Sequence, residues 1–348
     1  NSDGKLYVNN FDKIKELVDG RTAKAANYWV ESALEEASPL KLIKDNLPAN
    51  VLQKRIKEHN FTIKTNDYYQ WKPESIHKFS KIIASDFENS DYIKFSFDDE
   101  VFKILKKNNC FHVFSKSGEF QCKKLIFCPG RTGWRWATEF YKEMGLESKD
   151  DTALFGVRFE MAGQYMKELN GSHCTLDRDD CQLGPFSWNG TIVPEDHADL
   201  VTSSFRSNED RWKSEKVSFA LTGKIKVEPD FGVKQTERMA NLTYLLFNDR
   251  VSKEKIRVFL KGTSQLNLIP EYKWLAKSLE ELELVIPGLI NRGFYYVPSI
   301  QAMPSEIKLN KDLSTELDGL FVAGESANIP GLFGAALSGA IAADSVAK

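Results

Sequence analysis

The residues best suited to chemistry lie in one run near the end of the sequence. An apolar stretch, Leu320-Phe321-Val322-Ala323, leads to Gly324 and then Glu325. A glycine lets a bound molecule approach the backbone closely. The carboxyl end of a strand is also the edge at which open α/β sheets take ligands. The carboxylate of Glu325 accepts hydrogen bonds and suits the hydroxyls of a sugar or polyol. Pro330-Gly331 then turns the chain into a helix that opens Leu332-Phe333-Gly334. Unpaired N–H groups in that first turn can stabilise negative charge. Ala335, Ala336, Ser338, Gly339, Ala340, Ala342 and Ala343 keep the helix thin, so it can pack close to a sheet. A plain strand–helix unit would require neither Gly324-Glu325 nor Pro330-Gly331.

The elements that must position this run are legible in outline. A second buried strand, Lys124-Leu125-Ile126-Phe127-Cys128, stops at Pro129-Gly130-Arg131-Thr132-Gly133 and gives way to a helix over 134–144. An apolar strand ending in a glycine turn fits a mainly parallel sheet. Arg131 there can reach a phosphate or pair with an acid, and the sequence leaves both open. Apolar residues at three-to-four spacing predict helices over 11–18, 25–37, 51–59 and 75–87, the last opening after Pro73-Glu74. From Tyr92 the period changes to two, predicting a meander of strands over 92–97, 101–105, 111–114 and 120–128. Strands dominate 155–223, and helical spacing returns over 236–248 and 271–285. The order describes an α/β protein with an inserted β-rich domain: residues 1–150, an insertion over 151–300, and a return to the first domain over 301–348.

Composition narrows the classes. The chain has 348 residues, 28% of them charged, and a formal net charge of −2, so no global electrostatic footprint for nucleic acid is present. Lysines are abundant in the first 124 residues, so a local basic patch keeps nucleic acid open as a partner. Five cysteines without a CxxC pair do not make a disulfide framework and point to a reducing, cytoplasmic setting. No apolar run is long enough to span a membrane, and residues 1–5 show no signal peptide. His173, Cys174 and Cys181 are too few for a metal site. His112, His173 and His197 are each able to act as acid or base, with nothing to place them. Arg158 and Glu160 fall on one face of a strand, as a structural pair or as an arginine turned to a ligand. Gly133-Trp134-Arg135-Trp136 resembles the Trp-x-Trp signature of flavin-dependent halogenases, but Ala137-Thr138 follows and a helix start explains it more simply.

The run from Gly319 to Ala347 resembles the motif with which glutathione-reductase-like flavoproteins close over FAD. Residues 125–133 resemble the strand and turn after the β-meander in that superfamily. Ser2-Asp3-Gly4-Lys5-Leu6 is similar to the SDGKL segment of a largely uncharacterised microbial family of FAD-dependent dehydrogenases. Residues 156–160, Gly130-Arg131 and the order of the blocks fit the same family, so the resemblance covers nearly the whole chain. It implies a glutathione-reductase-like FAD-binding domain with a β-rich substrate domain, and hydride transfer between an organic small molecule and the flavin. Implied cofactor contacts are Ser2, Asp3, Gly4, Lys5, Gly130, Arg131, Gly324, Glu325, Pro330, Gly331, Leu332, Phe333 and Gly334. Glu325 would bind ribityl or pyrophosphate oxygens, and the 331–334 backbone would face the N1/C2 side of the flavin.

Two departures stand against the resemblance. The family carries GxGxxG upstream of SDGKL, whereas no two of the 21 glycines here are separated by a single residue. The expectation is therefore a fragment, a glycine-rich unit on a second chain, or a protein that has given up dinucleotide binding. A non-catalytic, partner-dependent subunit is the alternative function, and a flavin-dependent nucleic-acid-modifying enzyme the more distant one. In the β-rich domain, residues 185–191 stand where the family tends to carry a stretch rich in Cys and Gly.

Overall fold

The computed structural model describes residues 5–8, 10–197, 199–207, 211 and 213–348, with the backbone alone at 10–13 and 73. The fold is mixed α/β, and the described chain divides into two compact units. Residues 44–67 and 150–302 form one, and residues 5–43, 68–149 and 303–348 the other.

An antiparallel eight-stranded sheet forms the first unit. Thr152–Ala162 and Lys216–Lys226 pair along all 11 residues of each, and Phe294–Ile300 with Ser252–Lys255 extends the sheet beyond the former. Strict alternation drives this. Val157, Phe159 and Met161 are buried with Val217, Phe219, Leu221, Tyr295 and Val297, and helices Gly232–Leu246 and Lys273–Val285 add Met239, Leu275, Leu279 and Leu282 to that core. Each such side chain contributes about 1.5–3 kcal/mol by leaving water. Close packing explains a glycine in mid-strand: a Cβ on Gly156 would lie 1.9 Å from the Leu221 carbonyl oxygen.

Residues 44–67 join this sheet unit rather than the rest of 1–150. Thr62–Lys64 pairs with Thr175–Asp177, and Leu52 and Ile56 of helix Asn50–Glu58 enter the same core. A short strand needs a ladder partner, and the one available lies far away in sequence.

In the second unit, helices Asn10–Leu17, Gly20–Ala37, Pro73–Glu88, Trp134–Glu143 and Leu332–Ala347 surround small sheets. Val101–Lys107, Cys110–Ser115 and Gly118–Cys122 form the meander, with Asn108 and Asn109 at positive φ in the first turn. The expected strand over 92–97 is absent. Tyr92 and Phe97 stand 98% and 72% exposed, because alternation without a partner strand makes no ladder. Likewise 120–128 is not one strand: Gly118–Cys122 ends the meander and Leu125–Phe127 begins a separate pairing. That pairing, with Leu320–Val322, is the parallel one among the described residues. Trp134 and Trp136 serve the core, Trp136 lying 5.0 Å from the ring of Phe127.

Candidate functional site

Two parallel strands ending side by side place their following turns together. After Phe127 the chain reaches Gly130, at φ 72°, and then Arg131; after Val322 it reaches Gly324, at φ 66°, and then Glu325. Both glycines occupy the left-handed region that a side chain disfavours. A Cβ on Gly130 would meet nothing within 4 Å, so conformation rather than space selects glycine there. Across the two turns, Arg131 Nε donates to Glu325 Oε1 at 2.8 Å. Of the two readings of Arg131, the structure thus contains the pairing with an acid. The Glu325 side chain is 13% exposed and that of Arg131 46%.

The turn is held from several sides. Gly324 N–H donates to Ser338 Oγ at 2.9 Å, and the Ser338 hydroxyl lies against the carbonyls of Gly334 and Ala335. The buried hydroxyl of Tyr141, pushed to a higher pKa by burial, donates to the Ser326 carbonyl at 2.6 Å. Asn328, at φ 55°, returns its N–H to the Glu325 carbonyl, and its side-chain amide donates to the Pro304 carbonyl. Pro330 and Gly331, the latter at φ 85°, lead into Leu332–Ala347, which starts without a side-chain cap. An uncapped helix start leaves backbone N–H groups available to a bound anion or dipole. Phe333 is buried 5.9 Å from the ring of Tyr69, so its side chain anchors the helix start while its backbone lies in the first turn. Gly334 is buried beneath it, and Leu332 is 57% exposed.

Gly130, Arg131, Gly324, Glu325 and residues 330–334 therefore share one unit. Lys5, in the Lys5–Tyr7 strand, sits there too, its ammonium 5.9 Å from the centre of the Tyr68 ring. Ser2, Asp3 and Gly4 lie outside the described residues. Sequence reasoning missed Ser338, which stood among the small residues of the helix; the signal was one hydroxyl in an alanine-rich run. Tyr141 and Asn328 were missed as well, because their partners are set by tertiary packing.

The histidines lie elsewhere. His112 faces Glu119 across the meander at 2.5 Å, His173 Nδ1 meets the Phe186 carbonyl at 2.9 Å, and His197 lies 3.7 Å from Glu195. Cys174 and Cys181 are buried thiols pushed up by burial to about 11 and about 12, which keeps them protonated. All five cysteines are free, and no group of three or more His, Cys, Asp or Glu gathers for a metal among the described residues. No helix among them is long and apolar enough to cross a membrane.

No family model and no curated protein matches the chain. Solved structures do resemble it. A crystal structure of CtdE in complex with FAD and its substrate 4 is 11% identical, with a TM-score of 0.31, over 79% of this chain and 55% of that one. The Diels-Alderase PyrE3, from the biosynthetic pathway of pyrroindomycins, is 11% identical, with a TM-score of 0.39, over 92% and 53%. L-proline dehydrogenase from P. horikoshii is 12% identical, with a TM-score of 0.34, over 94% and 77%. The chain thus spans about half the length of two of these three proteins.

Proposed function

We propose that the chain belongs to an FAD-dependent oxidoreductase of glutathione-reductase-like fold, transferring a hydride between an organic small molecule and the flavin. The observation that carries this reading is the Gly324-Glu325 turn. It sets a mostly buried carboxylate, steadied by Arg131, at the carboxyl ends of two parallel strands, in the same turn-and-helix run that leads to an uncapped start at Leu332.

These residues fit FAD. The positive-φ glycines Gly130 and Gly324 keep side chains away from the strand ends, and the buried Ser326 hydroxyl has no partner among the described residues. Glu325 would accept from ribityl hydroxyls with the oxygen that Arg131 leaves, and the Leu332–Gly334 amides would donate to the polar edge of the isoalloxazine. Lys5 and Arg131 would supply positive charge. Bound there, FAD supplies hydride transfer at N5, for which no protein nucleophile is required. The phosphate-cradling glycine turn would come from residues beyond this sequence or from a second chain. The reading carries a reducing, cytoplasmic setting with it.

Purified protein should be yellow or become so with added FAD, and the colour should bleach with a reductant. Glu325→Gln should weaken FAD binding at least about tenfold, since hydrogen bonds to a charged acceptor contribute about 1.5–3 kcal/mol and about 1.4 kcal/mol is a factor of ten. Protein that takes up no FAD, alone or with the chain that carries a GxGxxG unit, would sink the reading.

A further inference from the structure

The ion pair with Glu325 uses only part of Arg131. A guanidinium carries its N–H donors in a rigid planar fork, and the pair occupies Nε alone. Nη1 and Nη2 have no acceptor among the described residues, and the side chain is 46% exposed. Their spacing matches two oxygens of one phosphate. The bond at Nε also holds the side chain in place, which lessens the ordering that binding would require. Space is open at the preceding residue, where a Cβ on Gly130 would meet nothing within 4 Å. The backbone adds donors. Arg131–Gly133 runs straight into helix Trp134–Glu143, and the N–H groups of Arg131 and Thr132 at its start have no acceptor among the described residues.

Charge decides what kind of ligand this suits. Glu325 is the acid that meets Arg131, and it is engaged at Nε. The pair is neutral as a whole, so attraction rests on directed donors rather than on a diffuse field. Such donors favour a compact anion with several oxygens. Glu325 keeps one oxygen without a donor among the described residues, and helix Leu332–Ala347 starts without a side-chain cap. Together these groups suit a polyol, a phosphate and the polar edge of a ring, in one unit of the chain.

We infer that these residues recognise the flavin mononucleotide half of the cofactor. Nη1 and Nη2 of Arg131 would bind the phosphate that ends the ribityl chain. The adenylate half would gain little from this chain, whose sequence holds no GxGxxG spacing. The assignment of Arg131 rests on the flavin-binding reading of Glu325 and of the Leu332 helix start.

Equilibrium dialysis of the full chain against riboflavin, FMN and FAD tests it. FMN should bind at least about tenfold tighter than riboflavin, a gap of about 1.4 kcal/mol, and FAD within about threefold of FMN. Arg131→Gln should weaken FMN about tenfold and riboflavin less than about threefold. Arg131→Lys, which keeps the charge without the fork, should recover little of the loss. Riboflavin bound as tightly as FMN, or weakened as much by Arg131→Gln, would overturn the inference and leave Arg131 a support for Glu325, with flavin binding intact. FAD bound more than about tenfold tighter than FMN would overturn it too, by showing that this chain holds the adenylate half. So would a chain that binds none of the three; flavin binding would then be judged by uptake of FAD together with the chain that carries a GxGxxG unit. Should either variant fail to fold, the three ligands on unaltered protein still decide.

Discussion

The two units hold their key carboxylates in opposite ways. Glu325 sits at strand ends, in a turn made by positive-φ glycines, with one partly exposed arginine as partner. Glu160 sits near the end of a long strand, buried on the sheet face, with two lysines from strands on either side. The first arrangement is largely a backbone device: the conformation of Gly324 and the start of a helix do most of the positioning. The second is made of side chains brought together by register. A backbone device has to be written into adjacent residues, and a register device does not.

Truncating the core beneath the side-chain device should have the largest effect. Phe159→Ala removes a fully buried ring 5.3 Å from that of Phe219, and the sheet unit should lose about 3–5 kcal/mol in denaturant unfolding. A loss below about 1 kcal/mol would mean that this face of the sheet is not a packed core.

The backbone device should be more sensitive to one hydroxyl than to its ion pair. Ser338→Ala leaves the buried N–H of Gly324 without its acceptor, at a cost of about 1–3 kcal/mol. Arg131→Gln removes an arginine that is nearly half exposed, and a change in stability under about 1 kcal/mol is expected. Were the order of these two reversed, the turn would depend on its charges rather than on its backbone.

Acid should separate the two carboxylates with a smaller effect. Burial pushes the Glu160 carboxyl upward, but hydrogen bonds and charge from Lys253 and Lys216 hold it below its ordinary 4.5. A lowered folded pKa contributes stability above the unfolded value, and that stability is lost as pH falls through the folded one. The melting temperature should therefore decline below about pH 4.5, and Glu160→Gln should lessen that decline. An unchanged slope in the variant would show that other carboxylates dominate the acid limb.

Legibility in the sequence followed the same divide. Helices such as Pro73–Glu88 and Trp134–Glu143 were readable from spacing and an N-terminal proline, because their hydrogen bonds are local. The strand expected over 92–97 was not formed, since its alternation found no partner. Residues 44–67 joined the sheet unit because Thr62–Lys64 pairs with residues more than 100 positions away. In the candidate site, Gly130, Gly324 and Glu325 were visible by type and position. Whether Arg131 would meet a phosphate or an acid was not, since that depended on which strand lay beside its own.

By itself, the sequence determined the local devices: glycines where φ must be positive, a carboxylate at a strand end, and a thin helix of small residues after Pro330-Gly331. Their causes lie within a few bonds of the residues concerned. Tertiary structure alone decided the Arg131–Glu325 pair, the hold of Ser338 and Tyr141 on the turn, and the strand pairing that brings Lys216 and Lys253 to Glu160. Those depend on strand order and register, which arise from burying whole faces of the sheet and are not encoded in any single segment.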